Sequence, residues 1–141
     1  MNAAPNTGYV LIADDDLDDI EILTTALKEM DSGLQVMVAN NGRNALEQLN
    51  TIQADGTSAC VLVMDMNMPK MDGRETVVAI KNDSHFESLP ILLFSTAKSK
   101  TDEMFAQKWG VHFFQKPDTV QGLNDVAKVI IGMCREKKKS V

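Results

Sequence analysis

The chain has 141 residues, with 14 Lys and Arg against 20 Asp and Glu, a formal net charge of -6, and 44% hydrophobic and 24% charged residues. This balance excludes an intrinsically disordered chain and argues against general affinity for nucleic acid or an anionic membrane, while the length suits one domain with a proper core. There is no secretory signal and no apolar run of about 18 residues, so a cytoplasmic location is the expectation.

Short apolar runs punctuate the chain: YVLIA (9–13), LQVMVA (34–39), CVLVM (60–64), ILLF (91–94) and VHFF (111–114). They predict five strands. Three are almost wholly apolar instead of alternating, the pattern of parallel strands covered on both faces. Behind the first strand, Asp16 is a candidate cap for a helix carrying Ile20, Leu23, Leu27 and Met30 at steps of three and four. Leu46, Leu49 and Ile52 follow NNG in the same manner, and Val77 and Ile80 follow the candidate cap Asp72. Phe105 and Trp109 precede the helix-ending Gly110, and Leu123, Val126, Ala127, Ile130, Ile131 and Cys134 form one apolar stripe. Alternating strands and helices imply right-handed crossovers, hence an α/β domain with a five-stranded parallel sheet and helices on both faces. Residues 8–135 form that domain, 1–7 an N-terminal extension and 136–141 a solvated basic tail. Cys60 and Cys134 lack metal or redox spacing and read as buried thiols.

The segment ADDDLDD (13–19) places five carboxylates in seven positions. Two carboxylates about 4 Å apart repel by roughly 4 kcal/mol at a near-surface dielectric, so the cluster needs a reason. Capping and the helix dipole account for Asp16, Asp18 and Asp19. Asp14 and Asp15 lie ahead of the cap, at the end of the first strand; Asp65 ends the third, Ser95 and Thr96 the fourth, and Lys116-Pro117 the fifth. Ligands of open parallel sheets bind beyond such ends, where strand order reverses. With the order 2-1-3-4-5, Asp14, Asp15 and Asp65 would meet in one pocket. A hard divalent cation, most plausibly Mg²⁺, would offset them. Periodicity alone leaves the strand order open.

The segments VLIADD, CVLVMD running on as DMNMPKMDG (65–73), PILLFST and FFQKP, in this order over residues 8 to 135, resemble the receiver domain of bacterial two-component response regulators. The resemblance implies the 2-1-3-4-5 order of the flavodoxin-like receiver fold. It implies Asp65 as phosphoacceptor, with Mg²⁺ held by Asp14, Asp15, Asp65 and the backbone carbonyl of Asn67. It further implies Lys116 and Ser95 on the phosphoryl group, Ser95 and Phe113 as a switch toward the fourth helix, fifth strand and fifth helix, and a cis Lys116-Pro117 bond. The phosphoryl group would come from a histidine kinase or a histidine phosphotransfer protein, and the output would be a downstream protein or a homodimer formed through that same face. The run ADDDLDDIEIL is similar to stand-alone receivers of chemotaxis and phytochrome-associated types. Such a protein is a signalling module, not a turnover enzyme.

Thr96 stands where a smaller residue is frequent in the family, and Phe113 lacks the hydroxyl of the common tyrosine. Met66 and Met68 flank Asn67. Two alternatives are a haloacid dehalogenase-like phosphatase and a degenerate receiver serving as a binding scaffold. The first resembles DxDxT after the first strand, whereas the candidate nucleophile here follows the third; the second is disfavoured because the acids, lysine and hydroxyl are all present.

Overall fold

The computed structural model describes residues 8–97 and 99–139, with side chains through residue 135. The expected extension 1–7 and the side chains of the basic tail, 136–141, lie outside the described residues. The elements are β1 (Tyr9–Ala13), α1 (Leu17–Met30), β2 (Gln35–Ala39), α2 (Gly42–Ala54), β3 (Ala59–Asp65), α3 (Gly73–Lys81), β4 (Ile91–Ser95), α4 (Lys100–Trp109), β5 (His112–Gln115) and α5 (Val120–Lys139). All five strands pair in parallel, in the order β2-β1-β3-β4-β5. The sheet is the one expected.

The apolar runs explain the layering. Strands β3 and β4 are buried at every position and β1 at all but its first residue, while the edge strands β2 and β5 are largely half-buried or exposed. Because side chains alternate along a strand, Val10, Ile12, Val61, Val63, Leu92 and Phe94 pack under α1 and α5. Leu11, Leu62, Met64, Ile91 and Leu93 pack on the opposite side, under α2, α3 and α4. Full burial of each such side chain contributes roughly 1.5–3 kcal/mol, so the three central strands dominate the core.

Asp16 caps α1, accepting from the amides of Asp18 and Asp19, and Ile20, Leu23 and Leu27 are buried. Met30, in the last turn, is 37% exposed and does not extend that stripe. Asp72 and Glu75 form a reciprocal capping box at the start of α3, and Gly110 ends α4 with φ 69°. The Arg74 guanidinium pairs with Asp102 and lies 5.2 Å from the centre of the Phe105 ring, tying α3 to α4.

One expectation fails here. Cys60 on β3 and Cys134 on α5 are both buried, but they are joined in a disulfide, with Cα atoms 4.8 Å apart. Their separation of 74 residues hides this from any local spacing rule; the packing of α5 on β3 brings them together.

Two stability measurements follow from local packing. A Cβ on Gly73 would lie 2.9 Å from the Met66 Cα and 3.0 Å from the Asp65 carbonyl oxygen. Both are backbone, which cannot turn aside, so Gly73→Ala should lower unfolding stability in urea by about 1–3 kcal/mol. On α1 the Thr24 hydroxyl is buried with no hydrogen-bond partner among the described residues. Replacing it by a methyl group of the same shape, Thr24→Val, should raise stability by about 1 kcal/mol, read as a shift in the same denaturation midpoint.

Candidate functional site

The carboxyl ends of β1 and β3 are neighbours, and each delivers an aspartate. Asp14 follows β1, its amide donating to the Ala39 carbonyl at 3.0 Å. Its Oδ1 accepts the Asp16 amide at 2.9 Å, which turns the chain into α1. Asp65 is the last residue of β3, and its Oδ1 accepts the Asn67 amide at 3.2 Å, which turns the chain into the loop toward α3. In both residues one oxygen shapes the backbone and the other, Oδ2, faces Lys116. The Lys116 ammonium donates to Asp14 Oδ2 at 2.9 Å and to Asp65 Oδ2 at 3.2 Å.

Asp14 and Asp65 are buried, while Asp15 is exposed at the rim. Each of the three presents an oxygen within 4.8 Å of the others. Such an all-oxygen, all-anionic donor set fits a hard cation such as Mg²⁺ and is a poor match for softer metals. The chemistry of the donors thus agrees with the metal expected there.

Burial pushes the Asp14 carboxyl above the usual range, against the Asp16 amide and the Lys116 charge, which pull it down. Burial alone would lower Lys116. Hydrogen bonds that the ammonium donates to Asp19 and Asp14, with the charges of Asp14 and Asp65, outweigh that and raise it, so the lysine is held firmly protonated.

The lysine reaches the pocket across a trans bond. Among the described residues no peptide bond is cis, which corrects the expectation for Lys116-Pro117. Trans is the favoured form of an X-Pro bond by about 0.5–1 kcal/mol. Here the Lys116 amide also continues the sheet ladder to the Ser95 carbonyl at 2.8 Å, and the ammonium reaches Asp65 with the bond trans.

The other expected residues surround this centre. Ser95, at the end of β4, is 3% exposed, and its Oγ accepts the Ala97 amide at 3.3 Å. Thr96 is exposed and lines an open cleft with Asp15, Asp65 and Lys116. Asn67 is exposed between Met66 and Met68, both of which turn into the core. Further along, Lys70 takes the left-handed conformation with φ 65°, a position that costs a non-glycine residue. Phe113 sits in register with Leu93 and packs toward α4, half-buried, beside Ala106 and Val111. It stands apart from the acid cluster.

One residue was missed. Asp19 serves the helix start as expected, but its Oδ2 also accepts from the Lys116 ammonium at 2.7 Å, the shortest of that lysine's three bonds. No motif marks it. Its placement depends on where α1 lies against the end of β5.

Comparisons with known proteins agree with this geometry. The family model described as the response regulator receiver domain matches residues 10–128. The chemotaxis protein CheY1 of Helicobacter pylori is 32% identical over 120 residues, covering 82% of this chain and 94% of that protein. The sensor histidine kinase CheAY of the same organism is 31% identical over 126 residues, or 89% of this chain and 15% of the kinase. Among solved structures, the bacteriophytochrome response regulator AtBRR superposes with a TM-score of 0.75 at 26% identity, covering 92% of this chain and 95% of its own. The phosphorylated cyanobacterial phytochrome response regulator RcpA shares the fold, with a TM-score of 0.78 at 24% identity over 87% of this chain and 90% of its own. The chain, with five parallel strands in the order 2-1-3-4-5 and its acids and lysine at their carboxyl ends, belongs to the response regulator receiver domain family.

Proposed function

We propose that residues 8–135 act as a phosphoacceptor signalling module in which Asp65 takes a phosphoryl group from a phosphohistidine of a histidine kinase or phosphotransfer protein. The observation that carries this reading is the contact of Lys116 with both Asp65 and Asp14, beside three carboxylates grouped within 4.8 Å. An Asp65 oxygen attacks phosphorus, the phosphorus–nitrogen bond breaks, its electron pair returns to the imidazole, and an acyl phosphate results. Anion meets anion in this step, so the work of the site is positioning and charge compensation. Lys116, already against Asp65, would pair with a phosphoryl oxygen.

Asp14, Asp15 and Asp65, with the backbone carbonyl of Asn67, would hold Mg²⁺. When bound, that ion supplies further neutralisation of the acids and of the incoming phosphate. Hydrolysis of the acyl phosphate would reset the module; no other substrate is turned over. Family membership sets aside the dehalogenase-like phosphatase, and the complete set of acids, lysine and serine favours a working receiver over a scaffold.

The new phosphate brings three acceptor oxygens and roughly -1.5 to -2 charge. Ser95 sits at the end of β4, next to Thr96 at the cleft, and its hydroxyl would turn from Ala97 toward the phosphoryl group. Phe113, paired through Leu93 on the same strand pair, would then swing inward and reshape the α4-β5-α5 face. Coupling of this kind is typically about 1–3 kcal/mol. The partner reading that face would be a downstream protein or a second copy of the chain. No nucleic acid or membrane partner is proposed; among the described residues no helix is long and apolar enough to cross a membrane. We place the exchange in the cytoplasm on the family likeness.

Two measurements test the reading. Intact mass after incubation with a small acyl phosphate and Mg²⁺ should rise by one phosphoryl group in the parent and stay fixed in Asp65→Ala; equal labelling of both would remove Asp65 from its role. In chelated buffer, Asp15→Asn should be more stable than the parent by about 1 kcal/mol, since it relieves repulsion at the rim. The parent should gain about 2.7 kcal/mol at Mg²⁺ a hundredfold above its dissociation constant, and Asp15→Asn should lose most of that gain at the same concentration.

A further inference from the structure

We propose that Asp19 is a positioning residue that draws the Lys116 ammonium toward α1 and thereby slows phosphoryl capture at Asp65. The proposal rests on the phosphoacceptor reading above and adds to it a residue that capping alone had explained.

A lysine ammonium has three donors. All three are in use: Asp19 Oδ2 at 2.7 Å, Asp14 Oδ2 at 2.9 Å and Asp65 Oδ2 at 3.2 Å. The longest bond goes to the proposed phosphoacceptor, and the shortest to a residue 97 positions away on another element. A phosphoryl oxygen arriving at Asp65 must therefore draw a donor from an ammonium that is already saturated, against the pull of the carboxylates that keep it.

Asp19 differs from the other two partners in a way that matters. It stands outside the Asp14, Asp15 and Asp65 group, so its charge stays available to Lys116 whatever occupies that group. Its side chain is 40% exposed, against 8% for Asp14 and 10% for Asp65. The competing pull can accordingly be removed without emptying a buried position. Its backbone is fixed by the cap, since the Asp19 amide donates to Asp16 Oδ1 at 3.3 Å. Asp19 lines both of the cavities that Lys116 and Asp65 border, which places its carboxylate where an entering phosphate would feel it.

General repulsion and a specific hold on the lysine can be separated. Asp18→Asn removes the same charge from the same turn, where the Asp18 backbone amide bonds to the cap at Asp16 Oδ1. Rates of phosphoryl addition from a small acyl phosphate with Mg²⁺ would be read by intact mass for the parent, Asp18→Asn, Asp19→Asn and Asp19→Glu. Asp19→Asn should label about two- to fivefold faster than Asp18→Asn, the range that an exposed ion pair supports, and Asp19→Glu should return to the parent rate. Equal rates for the two Asn variants, or slower labelling of Asp19→Asn, would overturn the proposal.

A second readout needs neither metal nor phosphate. In chelated buffer, urea unfolding of Asp19→Asn, Lys116→Met and the double variant should be non-additive, because removing either partner already removes the bond. Additive losses would overturn the contact itself. A parent that takes up no phosphoryl group, together with a non-additive cycle, would end the phosphoacceptor reading and the braking role with it, while leaving the Asp19–Lys116 bond in place.

Discussion

Carboxylates crowded at one point repel, and the organisation of this domain turns on how that repulsion is offset. Asp14 and Asp65 are buried at the ends of adjacent central strands, with Asp15 beside them, and the Lys116 ammonium reaches the group from the far edge of the sheet. Among the described residues, four acids, counting Asp19, against one lysine leave a formal excess of three negative charges in the pocket. The excess is what makes the place hungry for a cation. It also keeps the lysine protonated despite its burial.

The sheet makes this arrangement affordable. Three strands covered on both faces supply the apolar burial, so the loops beyond their ends are free to carry polar groups that would be ruinous within the core. Local hydrogen bonds then do the aiming. The same device serves both buried aspartates, with Oδ1 closing a turn through the amide two residues on and Oδ2 left facing Lys116. Gly73 completes the frame by letting α3 begin against the backbone of Asp65 and Met66, closer than any side chain would allow.

Much of this was legible in the residues. Near-continuous apolar runs marked β1, β3 and β4, and their buried status on both faces is why the pattern was unambiguous there. Caps at Asp16 and Asp72 and the left-handed Gly110 announced themselves through local chemistry, which needs only a few neighbouring positions to be read. Strand order was not readable from periodicity and came through resemblance. What escaped were pairings between distant elements: Asp19 with Lys116, and Cys60 with Cys134. Each depends on how one helix settles against a strand far along the chain, and a capping role for Asp19 or a buried thiol for each cysteine was a sufficient local account. The Lys116-Pro117 bond failed for a different reason. The cis expectation came through resemblance alone, and the bond takes the trans form that an X-Pro bond ordinarily favours.

Lys116 is separated from Asp14 by 102 residues and from Asp65 by 51, and it follows a strand that pairs only with β4. During synthesis the acids emerge long before their counter-charge. A nascent or clipped polypeptide that stops short of the fifth strand holds the proposed nucleophile but lacks Lys116 beside it. Competence for the proposed reaction thus arrives only once the fifth strand has been made and has docked against the fourth.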